Sequence, residues 1–494
     1  MSKFDLLIRG GSVIDGTGAP AKSANVAVRD GRIAVLGTIE GDADLEIDAS
    51  GWTIAPGFID VHCHDDVALL NSPALDFKTA QGVTTVVCGN CGLGPAPANE
   101  HVQEFFARGI EGILGPVAEF TWESIGEFYD AVRAANPTPN VAFLVPHGTL
   151  RVSTMGWEHR DPTDAELDRM KEQLAEGMAS GAVGMSTGLM YVPGAFSKTE
   201  ELIELNRVVA EYGGLYVSHI RNEGNRLLDS VREAIRIGEE AGTPVQISHH
   251  KASGRENWGL TKESLAIIDE ARERGVEVTM DAYPYTAAST ALAALTRNGR
   301  LIRAIDPHDI MVASVKYQHE YEGKRLDEIA DMMDLPVEDA VPKLLQDEDQ
   351  AVVAVMFIME EGDVRRVLQH PHCMIGSDGI PSPTGKPHPR LYGTFPRVLQ
   401  RYVRDQGILS LEEGVRKMTS LPARTFMLAD RGEIRENAWA DLVIFDPAQI
   451  VETSTYEEPR QYPTGISHVI VNGQVVVEDR EVKQAPSGQF LTRP

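Results

Sequence analysis

Cysteine is scarce in this chain: Cys63, Cys88, Cys91 and Cys373 are the only four in 494 residues. So few do not make a disulfide framework, and they are expected as reduced thiols or metal ligands in a reducing compartment. Positive charge is short too, with 46 Lys and Arg against 73 Asp and Glu and a formal net charge of -27. That balance argues against nucleic acid or an anionic membrane as a partner. No run approaches the roughly 18 apolar residues of a membrane span, and the strand-like opening Phe4-Asp-Leu-Leu-Ile-Arg9 leaves no apolar core of signal-peptide length. A soluble cytoplasmic protein is the expectation. Fixed-period repeats and low-complexity tracts are also missing.

What is present is enough apolar material, 42% of residues, for one large domain and a smaller one. Residues 1–54 read as short strands with polar turns, with Asp30-Gly31 marking a hairpin between two apolar runs. The same grammar returns in residues 419–494, where Ala440 to Phe445 and a hairpin at Asn472-Gly473 stand out. The two ends are expected to pair into one small β-sandwich. Between them, residues 55–418 alternate apolar strands with amphipathic helices. The strands are expected at Thr53 to Val61, Val83 to Cys88, Val141 to Val145, Ala182 to Ser186, Leu215 to Ser218, Val245 to Ser248, Glu277 to Met280 and Cys373 to Gly376. Helical spacing marks Asp164 to Ala179, Thr199 to Tyr212, Leu227 to Ala241 and Lys262 to Arg274. This pattern predicts a (β/α)₈ barrel of the α/β class. A doubly wound open sheet is the alternative, but the Gly-x-Gly-x-x-Gly turn that often follows its first strand is missing. Residues 297–367 are too many for a loop and are expected as a helical insertion before the last strand, with helices at Arg325 to Met333 and Glu338 to Leu345.

Ligand-type side chains recur where these strands end. His62 and His64 follow the first, Cys88-Gly-Asn-Cys91 the second, His219 the fifth, His249-His250-Lys251 the sixth and Asp378 the eighth. Catalytic residues of such barrels sit at the C-terminal ends of different strands, and scattered core histidines would not select those places repeatedly. Thiolate, imidazole and carboxylate are zinc ligands, so Cys91, His219 and His249 can make one compact site and His62, His64 and Asp378 another. Alone, His62-x-His64 would read as one packed and one exposed strand residue. Cys88-x-x-Cys91 could be a redox motif or half a zinc knuckle, but no second pair completes four thiolates. Cys63 and Cys373 are expected as small core residues.

Several stretches carry a resemblance. Ile54-Ala-Pro-Gly-Phe-Ile-Asp-Val-His-Cys-His64, Ala440-Asp-Leu-Val-Ile-Phe-Asp446 and Val471-Asn-Gly473 resemble the amidohydrolase superfamily. More narrowly, Gly82-Val-Thr-Thr-Val-Val-Cys-Gly-Asn-Cys-Gly92, Gly184-Met-Ser-Thr-Gly-Leu-Met-Tyr-Val-Pro-Gly194, Asp281-Ala-Tyr-Pro-Tyr-Thr286 and His388-Pro-Arg-Leu-Tyr-Gly-Thr-Phe395 are similar to the N-acyl-D-amino-acid deacylases. The resemblance implies a zinc-dependent hydrolase of small-molecule N-acyl-D-amino acids. It implies a tight zinc on Cys91, His219 and His249 and a weaker metal position near His62, His64 and Asp378. Cys91 would replace the carboxylated lysine or glutamate that bridges the metals in most of the superfamily, and no Lys ends the fourth strand. Asp378 would be the general base, although a Ser-Asp-Gly turn can also be only a helix cap. Arg390, Lys251, Tyr283 and Ser289 would bind the substrate carboxylate, and Tyr191 would line the side-chain wall. His249 is preferred over His250 as the ligand from strand alternation. His147, ending the third strand, is expected in a supporting role. A cyclic-amide hydrolase of the hydantoinase or dihydroorotase kind is the runner-up, and a non-catalytic scaffold would require ligands to be missing. Sequence leaves the oligomeric state and the preferred side chain open.

Overall fold

The computed structural model describes residues 3–493 apart from 298, 303–304, 383 and 484. Its central feature is a sheet of eight strands paired in parallel in chain order, Phe58–Asp60, Val83–Cys88, Asn140–Pro146, Gly184–Gly188, Leu215–His219, Val245–Ile247, Val278–Ala282 and Cys373–Ile375. These strands are almost wholly buried, which is why they read as continuous apolar runs and not as alternating ones. The barrel closes at its C-terminal rim. Asp378 N–H donates to the His62 carbonyl at 2.7 Å, and His64 N–H to the Gly379 carbonyl at 3.1 Å.

Helices occupy the connections. Asp164–Ala179 starts with a capping box, in which the Thr163 hydroxyl accepts from Glu166 N–H and the Glu166 carboxylate accepts from Thr163 N–H. Leu227–Ala241 stops at Gly242, whose φ of +80° is readily tolerated only without a side chain. Thr199–Glu211 and Thr261–Glu273 complete the set read from spacing.

Two features differ from the sequence reading. The expected first strand, Thr53 to Val61, is broken in two. Thr53–Pro56 belongs to the sheet of the chain ends, where it pairs with Leu442–Phe445, and only Phe58–Asp60 enters the barrel. Pro56 has no N–H to continue a ladder, and a Cβ on Gly57 would lie 2.2 Å from the Thr84 side chain, so the chain changes sheets there. The excursion before the last strand is not only helical. Its helices Leu326–Met332 and Val337–Asp347 pack on an antiparallel sheet of Ala288–Ala291, Val353–Met356 and Ile310–Ser314. Leu326, Ile329, Leu344, Ile310 and Val312 form their shared core.

The chain ends form one continuous nine-stranded sheet folded over its own core of Leu6, Ile8, Val26, Val28, Leu442, Ile444 and Ile470. Beyond it the chain runs back to the N-terminal end of the barrel. Leu491 N–H donates to the Val141 carbonyl at 2.7 Å, and Phe490 stacks on Phe143 and packs tilted against Tyr129, with centroids at 5.8 and 5.0 Å. Because Phe490 is only half-buried, Phe490→Ala should destabilise by about 2 kcal/mol, less than the roughly 3–5 of a fully buried ring. A lowered urea midpoint would record that loss; an unchanged midpoint would mean that the tail adds nothing to barrel stability.

Candidate active site

Cys91 reaches the barrel mouth because the turn after the second strand is unusually tight. At Gly89, φ +77°, a Cβ would meet the Leu144 carbonyl oxygen at 2.2 Å, and at Gly92 one would lie 2.7 Å from the Gly188 nitrogen. Only bare backbone threads between the third and fourth strands there. Cys91 itself adopts φ +55°, His249 +35° and Asp378 +49°. Left-handed backbone is uncommon for residues with side chains and persists where the surroundings enforce it. Here three such residues meet at one place.

Cys91 Sγ lies 3.3 Å from His62 Nε2, 3.6 Å from His219 Nδ1 and 3.6 Å from His249 Nε2. Asp378 Oδ1 lies 3.3 Å from His64 Nε2 and 3.6 Å from His62 Nε2. Ligand atoms bound to one tetrahedral zinc at its usual bond lengths stand about 3.4–3.6 Å apart. The observed separations therefore fit edges of coordination polyhedra. Three overlapping sets, His62 with His64 and Cys91, Cys91 with His219 and His249, and His62 with His249 and Asp378, each gather their ligand atoms within 4.8 Å. The donor set of sulfur, imidazole nitrogen and one carboxylate suits zinc.

Charge agrees with this chemistry. Burial would push the Cys91 thiol up, but His62, His219 and His249 hold it well below the usual thiol range. Burial also raises Asp378, and the Arg390 guanidinium with His249 and His64 more than reverses it. Asp378 is therefore a carboxylate at neutral pH, and the three imidazoles favour the thiolate form of Cys91.

A second layer orients the rings. His62 Nδ1 faces Asp281 at 3.4 Å, and His249 Nδ1 faces Glu223 at 3.0 Å. Such carboxylate contacts fix which ring nitrogen is free for a metal. Lys251 Nζ donates to Glu223 at 2.5 Å and lies 2.8 Å from His249 Nδ1. The Tyr283 ring has the Arg390 guanidinium carbon 4.6 Å and Lys251 Nζ 5.6 Å from its centroid. Arg390 Nη1 is 2.9 Å from Asp378 Oδ2, and its Nη2 donates to the Ser289 carbonyl at 3.1 Å. Tyr191 sets its edge against His219, with centroids 4.8 Å apart, and its hydroxyl pairs with Thr290 at 3.0 Å. Beyond it opens a cavity of about 260 Å³ lined by Leu93, Ile113, Trp157, Met190 and Ala291 among others.

All the residues expected at the site thus converge. His250 turns away to Ser264 at 2.8 Å, and His147 pairs with Glu201 at 2.9 Å. Cys63 donates to the Val87 carbonyl in the core. Asp281 and Glu223 were not anticipated as contacts. Asp281 opens the quoted Asp281-Ala-Tyr-Pro stretch, and Glu223 follows His219 by four residues in a loop with no other mark.

The sequence matches the amidohydrolase family over residues 45–477, and the chain belongs to that family. Along nearly its whole length it is similar to two curated proteins of Alcaligenes xylosoxydans xylosoxydans. It is 41% identical to a D-aminoacylase, over 99% of this chain and 98% of that one, and 41% identical to an N-acyl-D-glutamate deacylase, over 99% and 97%. The crystal structure of N-acyl-D-glutamate deacylase from Bordetella bronchiseptica, complexed with zinc and a phosphonate mimic of the tetrahedral intermediate, superposes with a TM-score of 0.92 at 41% identity, covering 99% of this chain and all of that one.

Because Cys91 belongs to two of the three ligand sets, Cys91→Ala should abolish tight zinc binding, whereas His64→Ala should leave one equivalent bound. Metal analysis after dialysis separates the two outcomes. A Cys91→Ala protein that keeps its zinc would remove the sulfur from the ligand set.

Proposed function

We propose that the chain is a zinc-dependent hydrolase that cleaves the amide of N-acyl-D-amino acids to a carboxylate and a free D-amino acid. Two findings support this reading: the full-length similarity to D-aminoacylase and N-acyl-D-glutamate deacylase, and a metal-type cluster built beside a carboxylate-binding group. The observation that carries it is the placement of Asp378, with Oδ1 against His62 and His64 and Oδ2 against Arg390.

In this reading Cys91, His219 and His249 hold the tight zinc, and His62, His64, Cys91 and Asp378 offer a second, weaker position. The chemistry supplied by a bound zinc is polarisation of the amide carbonyl and activation of a water near neutral pH. Asp378 accepts the water's proton and returns it to the amine nitrogen as the C–N bond breaks. Arg390 and Lys251, braced by Tyr283 and Ser289, take the substrate carboxylate; a planar guanidinium suits that ion. Fixing the carboxylate and the scissile carbonyl leaves the wall around Tyr191 to decide which enantiomer's side chain fits. The fourth strand ends at Gly188 with no Lys nearby, and Cys91 sulfur stands between the ligand groups, which favours linear amides over the cyclic amides of lysine-bridged enzymes.

The supporting sheet is assigned the described residues up to Pro56, two beyond the boundary expected at 54, together with those from 419 onward, and the catalytic barrel with its insertion runs from Phe58 to 418. A reducing, cytoplasmic setting is supported by four free, buried cysteines. Among the described residues no helix is long and apolar enough to cross a membrane.

Matched N-acetyl-D- and N-acetyl-L-amino acids test the activity. Amine release should be confined to the D series; turnover of hydantoins or dihydroorotate without turnover of either series would overturn the reading. Asp378→Asn should lower kcat by about 10²–10⁴-fold while the first zinc equivalent stays bound. Near-normal turnover in that variant would remove Asp378 as the proton carrier.

A further inference from the structure

The first and last barrel strands carry the two parts of the outer ligand set, His62 with His64 and Asp378. Among the described residues they are also the neighbouring pair of the eight without a regular ladder. Directly beneath their rim contacts sits Lys78, on the short helix Asp76–Thr79, with no exposure to solvent. Its ammonium donates to Asp60 Oδ2 at 2.6 Å and to Ser377 Oγ at 2.7 Å, and lies 3.4 Å from Asp65 Oδ2.

Asp60 and Ser377 are themselves joined. Asp60 accepts the Ser377 N–H at 2.8 Å and its hydroxyl at 2.6 Å, and the His62 N–H at 3.3 Å. Ser377 Oγ accepts the Gly379 N–H at 3.0 Å, which pins both sides of the left-handed Asp378. A buried ammonium is expensive unless its partners are close and well aligned. This one has two short hydrogen bonds and a third group, the Asp65 carboxylate, at 3.4 Å, and all three residues are within two of the outer ligands. None of them touches Cys91, His219 or His249.

We propose that Lys78 is a positioning residue for hydrolysis: by clamping Asp60 to Ser377 it fixes Asp378 at its distance from His62 and His64. The proposal rests on the reading that Asp378 moves the proton. Lys78 touches neither the ligands nor the cavity at the mouth, so its effect reaches the reaction only through those neighbours. Removing it should therefore loosen the outer set and spare the inner one.

Two variants test this. Lys78→Met combined with Asp60→Asn deletes the ion pair without leaving the Asp60 charge alone. Ser377→Ala keeps the ion pair and removes only the shared hydroxyl, and it decides the matter should the first variant fail to fold. Both should retain the first zinc equivalent, keep KM within about threefold, lose kcat by about 10–100-fold and weaken the second zinc equivalent by about tenfold or more in a titration without substrate. Wild-type kcat and wild-type zinc binding in folded Ser377→Ala would overturn the proposal. Loss of the first equivalent together with the second would also overturn it, since that is the signature of a collapsed barrel rim. Wild-type enzyme inactive on the D series would sink the functional reading, and the zinc titration would still decide on Lys78.

Discussion

A single buried sulfur facing three imidazoles is the constraint to which the mouth of this barrel conforms. Close approach of Cys91 to His62, His219 and His249 requires three strands to end at the same height. It also requires a turn with glycine on both sides of Asn90 and Cys91, and left-handed backbone at three residues that bear side chains. Each demand is met by a local feature that would be unfavourable elsewhere. The surrounding sheet, buried on both faces, is stiff enough to hold them.

The arrangement of charge follows from the same crowding. The Cys91 sulfur and the Asp378 carboxylate are each surrounded by cationic or cation-forming groups, and the second layer alternates again, with Glu223 beside Lys251 and Asp281 beside His62. In a low-dielectric site such alternation is what allows ionised groups to remain ionised after leaving water. Arg390 is central to it, since one guanidinium spans Asp378, the Tyr283 face and the insertion backbone at Ser289. The insertion is thereby tied to the chemistry through its first strand, Ala288–Ala291.

Much of this was legible before any coordinates. His62, His64, Cys91, His219, His249 and Asp378 declared themselves because ligand-type side chains after apolar runs are rare and their strand-end placement repeats. The helices Asp164–Ala179 and Leu227–Ala241 were legible because their caps are local. The break at Pro56-Gly57 was not, since it depends on Thr84 lying against the glycine. The strands Ile310–Ser314 and Val353–Met356 were hidden because short apolar runs among helical ones carry no period of their own. Lys78 and Glu223 look like any solvated charge in the chain, and Asp281 carries no mark of its contact beyond the quoted stretch that it opens. Their meaning comes from partners such as Ser377, Lys251 and His62, and for Lys78 and Asp281 those partners lie hundreds of residues away.

The strand Thr53–Pro56 has a bearing on how the molecule is made. It enters the barrel side at Phe58 but its sheet partner, Leu442–Phe445, lies near the other terminus. At ribosomal speeds of roughly 5–20 residues per second, that partner emerges on the order of twenty seconds or more after Thr53–Pro56. Through that interval the leading segment has an unpaired edge, and the first barrel strand hangs from it. Phe58–Asp60 can pair with Val83–Cys88 during that interval, so the late arrival of Leu442–Phe445 completes the second edge of Thr53–Pro56 after the barrel strands are already out.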